Sequence, residues 1–121
     1  MARVLIVDDD RFMRQSMRRG LEGCGHEVEE AGDGCEALLV QRHAPAETVV
    51  VDVVMPVMGG LELMARLRRE YPDLRIIAVT EACGACAGEL LSMAERLGAD
   101  ASFTKPVPPN DLARLAAAPA S

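Results

Sequence analysis

A chain of 121 residues has room for one domain with one core and little for a second. Half of its residues are hydrophobic and 2% are aromatic, so the core has to be built from Leu, Val, Ile, Ala and Met. A net charge of −6 with no basic cluster argues against nucleic acid or an anionic membrane as a direct partner, and the N-terminus lacks the pattern of a secretory signal. No apolar run reaches the length of a membrane span, and the chain reads as cytoplasmic.

Val4-Leu5-Ile6-Val7 is an unbroken apolar run, which predicts a strand over 3–7 buried on both faces. A helix follows over about 10–24, with Met13, Met17, Leu21 and Cys24 on one stripe and Gly23 and Gly25 bracketing its end. EVEEA at 27–31 alternates as an edge or half-exposed strand does. Asp33 with Glu36 has the spacing of a capping box and opens a helix to about 43, before Pro45. TVVVDVV at 48–54 predicts a second buried strand, and Gly59-Gly60 leads into a helix carrying Leu63, Met64, Leu67 and Tyr71. LRIIAVT at 74–80 is a third buried strand. A helix over 87–97 carries Leu90, Leu91, Ala94 and Leu97 and stops at Gly98. DASFT at 100–104 is a short last strand, and a final helix starts near Asn110 with Leu112 and Leu115. Five strands alternating with five helices, over one domain spanning 1–121, call for an α/β fold with a parallel sheet covered on both faces.

In such sheets ligands bind beyond the carboxyl ends of the strands. There the first strand ends in Asp8-Asp9-Asp10, the next buried strand carries Asp52, another ends at Thr80, and the last runs into Lys105. Of the 13 basic residues Lys105 alone is lysine, and a lysine offers a compact mobile charge where arginine offers a planar fork. Three consecutive carboxylates repel one another: two unit charges about 4 Å apart cost roughly 4 kcal/mol at an effective dielectric near 20. A helix cap accounts for one of them. A hard cation such as Mg²⁺, which favours carboxylates, accounts for the rest. Asp52 amid valines is costly unless paired. A carboxylate in such a site can accept a phosphoryl group, with metal, hydroxyl and ammonium neutralising the transferring oxygens.

In this order VLIVDDD, VVVDVVMPVMGGLEL, RIIAVT and LGADASFTKPV resemble the receiver domain of two-component response regulators over essentially the whole chain. The resemblance implies a flavodoxin-like, doubly wound five-stranded sheet in the order 2-1-3-4-5. It implies Asp52 as phosphoacceptor, with Asp9 and Asp52 as direct Mg²⁺ ligands, Asp8 acting through water, and the backbone carbonyl of Val54 as a further ligand. Thr80 would hydrogen-bond the phosphoryl group and Lys105 would pair with it, next to a cis Lys105–Pro106 peptide. Asp10 falls outside this set and is read as the cap of the first helix. The implied partners are a histidine kinase or histidine phosphotransfer protein and a downstream protein reached by contact, because no sequence follows the last helix to form an output domain, unless the chain is a fragment. The chemistry is limited to its own phosphorylation and dephosphorylation.

Some positions depart from the family pattern. Ser102 stands where many relatives carry Tyr or Phe, and Phe103, one place on, should point to the opposite face. Glu81 replaces a small residue after Thr80, so a Glu81→Ala variant is expected to phosphorylate faster than the natural chain. Val54 and Ala82 offer no group to orient an attacking water, which implies unremarkable self-dephosphorylation. Two other readings compete: a pseudo-receiver that binds partners without taking phosphate, and a haloacid-dehalogenase-type phosphatase, for which Asp8-x-Asp10 supplies the nucleophile motif. Cys83 and Cys86 form a C-x-x-C whose partner half is missing, so the four cysteines read as reduced thiols.

Overall fold

A computed structural model of the chain describes residues 2–55, 58–81, 86–105 and 107. Five strands, β1 (Arg3–Val7), β2 (Glu27–Ala31), β3 (Thr48–Asp52), β4 (Arg75–Glu81) and β5 (Ala101–Lys105), form one sheet in the order β2-β1-β3-β4-β5. Every neighbouring pair is parallel. This is the flavodoxin-like order implied by the resemblance, and it puts the alternating EVEEA strand on an edge. There Val28 and Ala31 are buried while Glu27 and Glu29 face water.

The helices are α1 (Arg11–Gly23), α2 (Gly34–His43), α3 (Gly60–Glu70) and α4 (Cys86–Arg96). The expected fifth helix and the Lys105–Pro106 peptide lie outside the described residues. Helices α2, α3 and α4 bury Ala37, Leu63, Met64, Leu67 and Ala94 on one face of the sheet, against Leu5, Val7, Val49, Val51, Ile76 and Ala78. Met17 and Leu21 of α1 cover the alternate residues Val4, Ile6, Val50, Ile77 and Val79 on the other face. Central strands buried on both sides explain the unbroken Val/Ile/Leu runs.

Several local readings change in detail. Leu97, expected on the apolar stripe of the helix over 87–97, lies one residue past α4 and is exposed. Cys24 is not on the buried stripe of α1 but is its exposed C-cap, because the helix stops at Gly23. Asp33 does cap α2 by accepting from the Glu36 amide at 2.8 Å. The return arm of the capping box lands one residue early, however, with Glu36 accepting from the Gly32 amide at 3.2 Å. The third strand in sequence ends at Asp52 rather than running to Val54. The Asp52 carboxylate accepts from the Val54 amide at 3.1 Å and turns the chain out of the sheet.

Candidate functional site at the carboxyl edge of the sheet

The acids that end β1 are separated by their hydrogen bonds into different roles. Asp10 is the N-cap of α1, in extended backbone geometry, and accepts from the amides of Phe12 at 2.9 Å and Met13 at 3.4 Å. Asp8 is fully buried. One of its carboxylate oxygens accepts from the Asp10 amide at 2.9 Å, and the other from the Lys105 ammonium at 2.7 Å. Asp9 is exposed between them. The same two-residue turn therefore closes β1 at Asp8 and β3 at Asp52, and it aims both carboxylates at the sheet's edge.

Lys105, at the end of β5, reaches between them. Its Nζ donates to Asp8 at 2.7 Å and to Asp52 at 3.2 Å, and all three side chains are buried. Among the described residues, Asp8, Asp9 and Asp52 form the one group able to hold a metal ion, with an oxygen from each lying within 4.8 Å of the others. Three carboxylates with no softer ligand suit Mg²⁺. Burial pushes the Asp52 carboxyl up to about 6; the neighbouring Asp8 charge adds to the rise, while Lys105 and the Val54 amide oppose it. Burial also works against the Lys105 ammonium, but its hydrogen bond to Asp8 and the charges of Asp52 and Asp8 outweigh that and hold its pKa above the ordinary lysine value. Two buried carboxylates against one buried ammonium leave this corner with excess negative charge that a cation would offset.

Thr80 is buried on β4, one residue beyond Val79, the register partner of Asp52. Glu81 is exposed and lies level with Lys105 in the β4–β5 register, which puts a carboxylate at the end of the neighbouring strand. The Val54 side chain is exposed where the chain leaves the sheet. Ala82 lies outside the described residues. Ser102, in place of the aromatic, donates to Glu95 of α4 at 3.0 Å. Phe103 packs on the opposite face with the α1-side core, as strand alternation requires.

Two residues that serve the site escaped the sequence reading. Gly60 opens α3 directly against the strand that ends in Asp52: a Cβ there would stand 2.1 Å from the Asp52 carbonyl oxygen and 2.6 Å from the Val53 Cα. Only glycine allows that approach, and the Gly59-Gly60 pair was its sequence signal. Arg14 of α1 donates to the Asp8 carbonyl oxygen, and its position in the helix gave no sign of that.

Residues 4–117 match the response regulator receiver domain family. The response regulator MprA of Mycobacterium sp. (strain KMS) is 48% identical over 79 residues, covering 64% of this chain and 34% of MprA. MprA of Mycobacterium leprae has the same identity and coverage. The chain thus spans about a third of the length of these curated relatives. Among solved structures, a CheY-like receiver domain protein from Methanospirillum hungatei superposes with a TM-score of 0.84 at 33% identity, over 94% of this chain and 89% of that one. The Vibrio cholerae chemotaxis protein CheY4 superposes with a TM-score of 0.83 at 34% identity, over 94% of each chain.

Proposed function

Because this chain belongs to the response regulator receiver domain family of two-component signalling, we propose that Asp52 is its phosphoacceptor and that Asp8, Asp9, Thr80 and Lys105 serve it. The observation that carries this reading is the Lys105 ammonium lodged between the buried carboxylates of Asp8 and Asp52. A carboxylate oxygen of Asp52 attacks the phosphorus of a phosphohistidine; the O–P bond forms as the N–P bond breaks, and the imidazole leaves with the bonding pair. The transition state is loose, so the protein's work is to position groups and cancel charge on the equatorial oxygens. Lys105, within hydrogen-bond reach of Asp52, would pair with a phosphoryl oxygen, and the Thr80 hydroxyl would donate to another. Mg²⁺ held by Asp9, Asp52 and the Val54 carbonyl, with Asp8 bound through water, would supply the remaining positive charge.

The donor is a histidine kinase or a histidine phosphotransfer protein, and the signal passes on by protein contact in the cytoplasm. Among the described residues no helix is long and apolar enough to cross a membrane. The phosphatase reading is not favoured, because Asp10, the second acid of its motif, is committed to capping α1. The pseudo-receiver reading is not favoured either, because no acid or cation of the proposed chemistry is missing. Incubation with acetyl phosphate and Mg²⁺ followed by mass spectrometry tests the assignment. A base-labile adduct on the natural chain that disappears in Asp52→Asn is expected. An adduct retained in that variant, or none on the natural chain, overturns it.

A further inference from the structure

Beside the acidic pocket, on the outward side of β1, a second charged group ties α1 to the edge strand β2. Glu30 of β2 accepts from Arg14 Nε at 3.1 Å and from Arg18 Nη1 at 2.7 Å, and Arg18 also donates to Glu22 at 3.1 Å. Arg14 does one thing that Arg18 does not: its Nη1 donates to the backbone carbonyl oxygen of Asp8 at 2.5 Å. Glu30 therefore holds one edge of a rigid guanidinium fork while the other edge grips the peptide between Asp8 and Asp9.

That contact completes a full set of restraints on Asp8. Its amide donates to the Ala31 carbonyl at 3.2 Å, its carboxylate oxygens are taken by the Asp10 amide and by Lys105, and its carbonyl is taken by Arg14. The Asp8–Asp9 peptide is planar, so holding its carbonyl also holds the Asp9 nitrogen and Cα, the base from which the Asp9 side chain starts. Asp9 is the exposed member of the carboxylate group, with no burial to hold it. We infer that Arg14, oriented by Glu30, is a positioning residue that sets the Asp8–Asp9 turn so that Asp9 faces the cation site.

This inference rests on the Mg²⁺-binding reading of the pocket, and it makes a prediction opposite in sign to simple electrostatics. Arg14 is a positive charge beside an acidic cation site, so removing it should tighten cation binding if charge alone mattered. If Arg14 acts by position, removing it should weaken binding, as losing the outer partners of metal ligands does. Isothermal titration of MgCl2 into the chain decides between them, at a temperature where thermal denaturation shows every variant folded. The expected result is a Kd raised about tenfold in Arg14→Gln and clearly raised in Arg14→Lys, which keeps the charge but cannot span both partners. Arg18→Gln, which removes an equal charge and Arg18's own bonds to Glu30 and Glu22 but leaves Arg14 on Glu30 and on the Asp8 carbonyl, should bind as the natural chain does or slightly tighter. Unchanged or tighter binding in Arg14→Gln, full rescue by Arg14→Lys, or equal weakening in Arg18→Gln overturns the inference. Absence of Mg²⁺ binding by the natural chain would instead sink the reading of the pocket itself.

Discussion

At the carboxyl ends of the strands two buried carboxylates share one ammonium, with Asp9 exposed beside them, whereas at the amino ends one guanidinium meets four acceptors. Arg68 of α3 donates to the carbonyls of Pro72 at 2.9 Å, Leu74 at 2.7 Å and Gly98 at 2.6 Å, and to the Asp100 carboxylate at 3.0 Å. Asp100 in turn accepts from the Ile76 amide at 2.9 Å. Gly98 has φ 107, and a Cβ there would stand 2.9 Å from the Arg68 Nε, so both its conformation and the space call for glycine. The Arg68 cluster at one end of the sheet thus offers its cation more acceptors than the other end offers donors to its buried acids, although Arg75 Nε, at the start of β4, is buried without a partner among the described residues. Excess buried negative charge at the acid end favours a cation there, and Arg68 ties the approaches to β4 and β5 together at the other end.

Substitutions at each end should separate these roles. Gly60→Ala strikes the junction of α3 with β3 and should have the largest effect, a loss of roughly 3 kcal/mol in urea unfolding together with weaker Mg²⁺ binding, because the displaced backbone carries Asp52. Lost stability with unaltered Mg²⁺ binding would show that the α3 contact does not position the site. Arg68→Ala should cost about 2 kcal/mol by the same measurement, with Mg²⁺ affinity unchanged within about twofold. A large fall in affinity would mean that the two ends are coupled.

Asp52→Asn should act in the opposite direction and least in size. The folded chain holds the Asp52 proton up to about pH 6, while the unfolded chain releases it near the ordinary aspartate value of 3.8. Between these values the folded state binds more protons, so this group's contribution to stability falls as pH rises from about 4 to about 6 and is constant above. Metal-free Asp52→Asn should therefore be more stable than the natural chain at pH 7, by on the order of 1 kcal/mol, and equal to it near pH 4. Added Mg²⁺ should stabilise the natural chain more than the variant. Melting curves across pH that run parallel for the two proteins would show that the acid end is already balanced without a cation.

Much of this was legible in the sequence because it depends on neighbours a few residues apart. Apolar runs mark β1, β3 and β4 as buried, and Asp10 caps α1 because an acid standing just before a helix can reach the first amides of that helix. The placing of Asp8, Asp52, Thr80 and Lys105 at strand ends follows from strict alternation and the parallel sheet it imposes. That Ser102 and Phe103 face opposite ways follows from the two-residue period of a strand.

What the sequence determined by itself, then, was the order and type of the elements, the family, and the set of residues able to meet at one edge. Only the tertiary structure decided which of them touch: Lys105 lies 97 residues from Asp8 and 53 from Asp52, and Arg68 lies 30 from Gly98. The early end of β3, the close seat of Gly60 and the grip of Arg14 on the Asp8 carbonyl belong to the same class. Local pattern is written in side-chain periodicity, but these contacts are fixed by how close two packed backbones come, and no short stretch of sequence carries that distance.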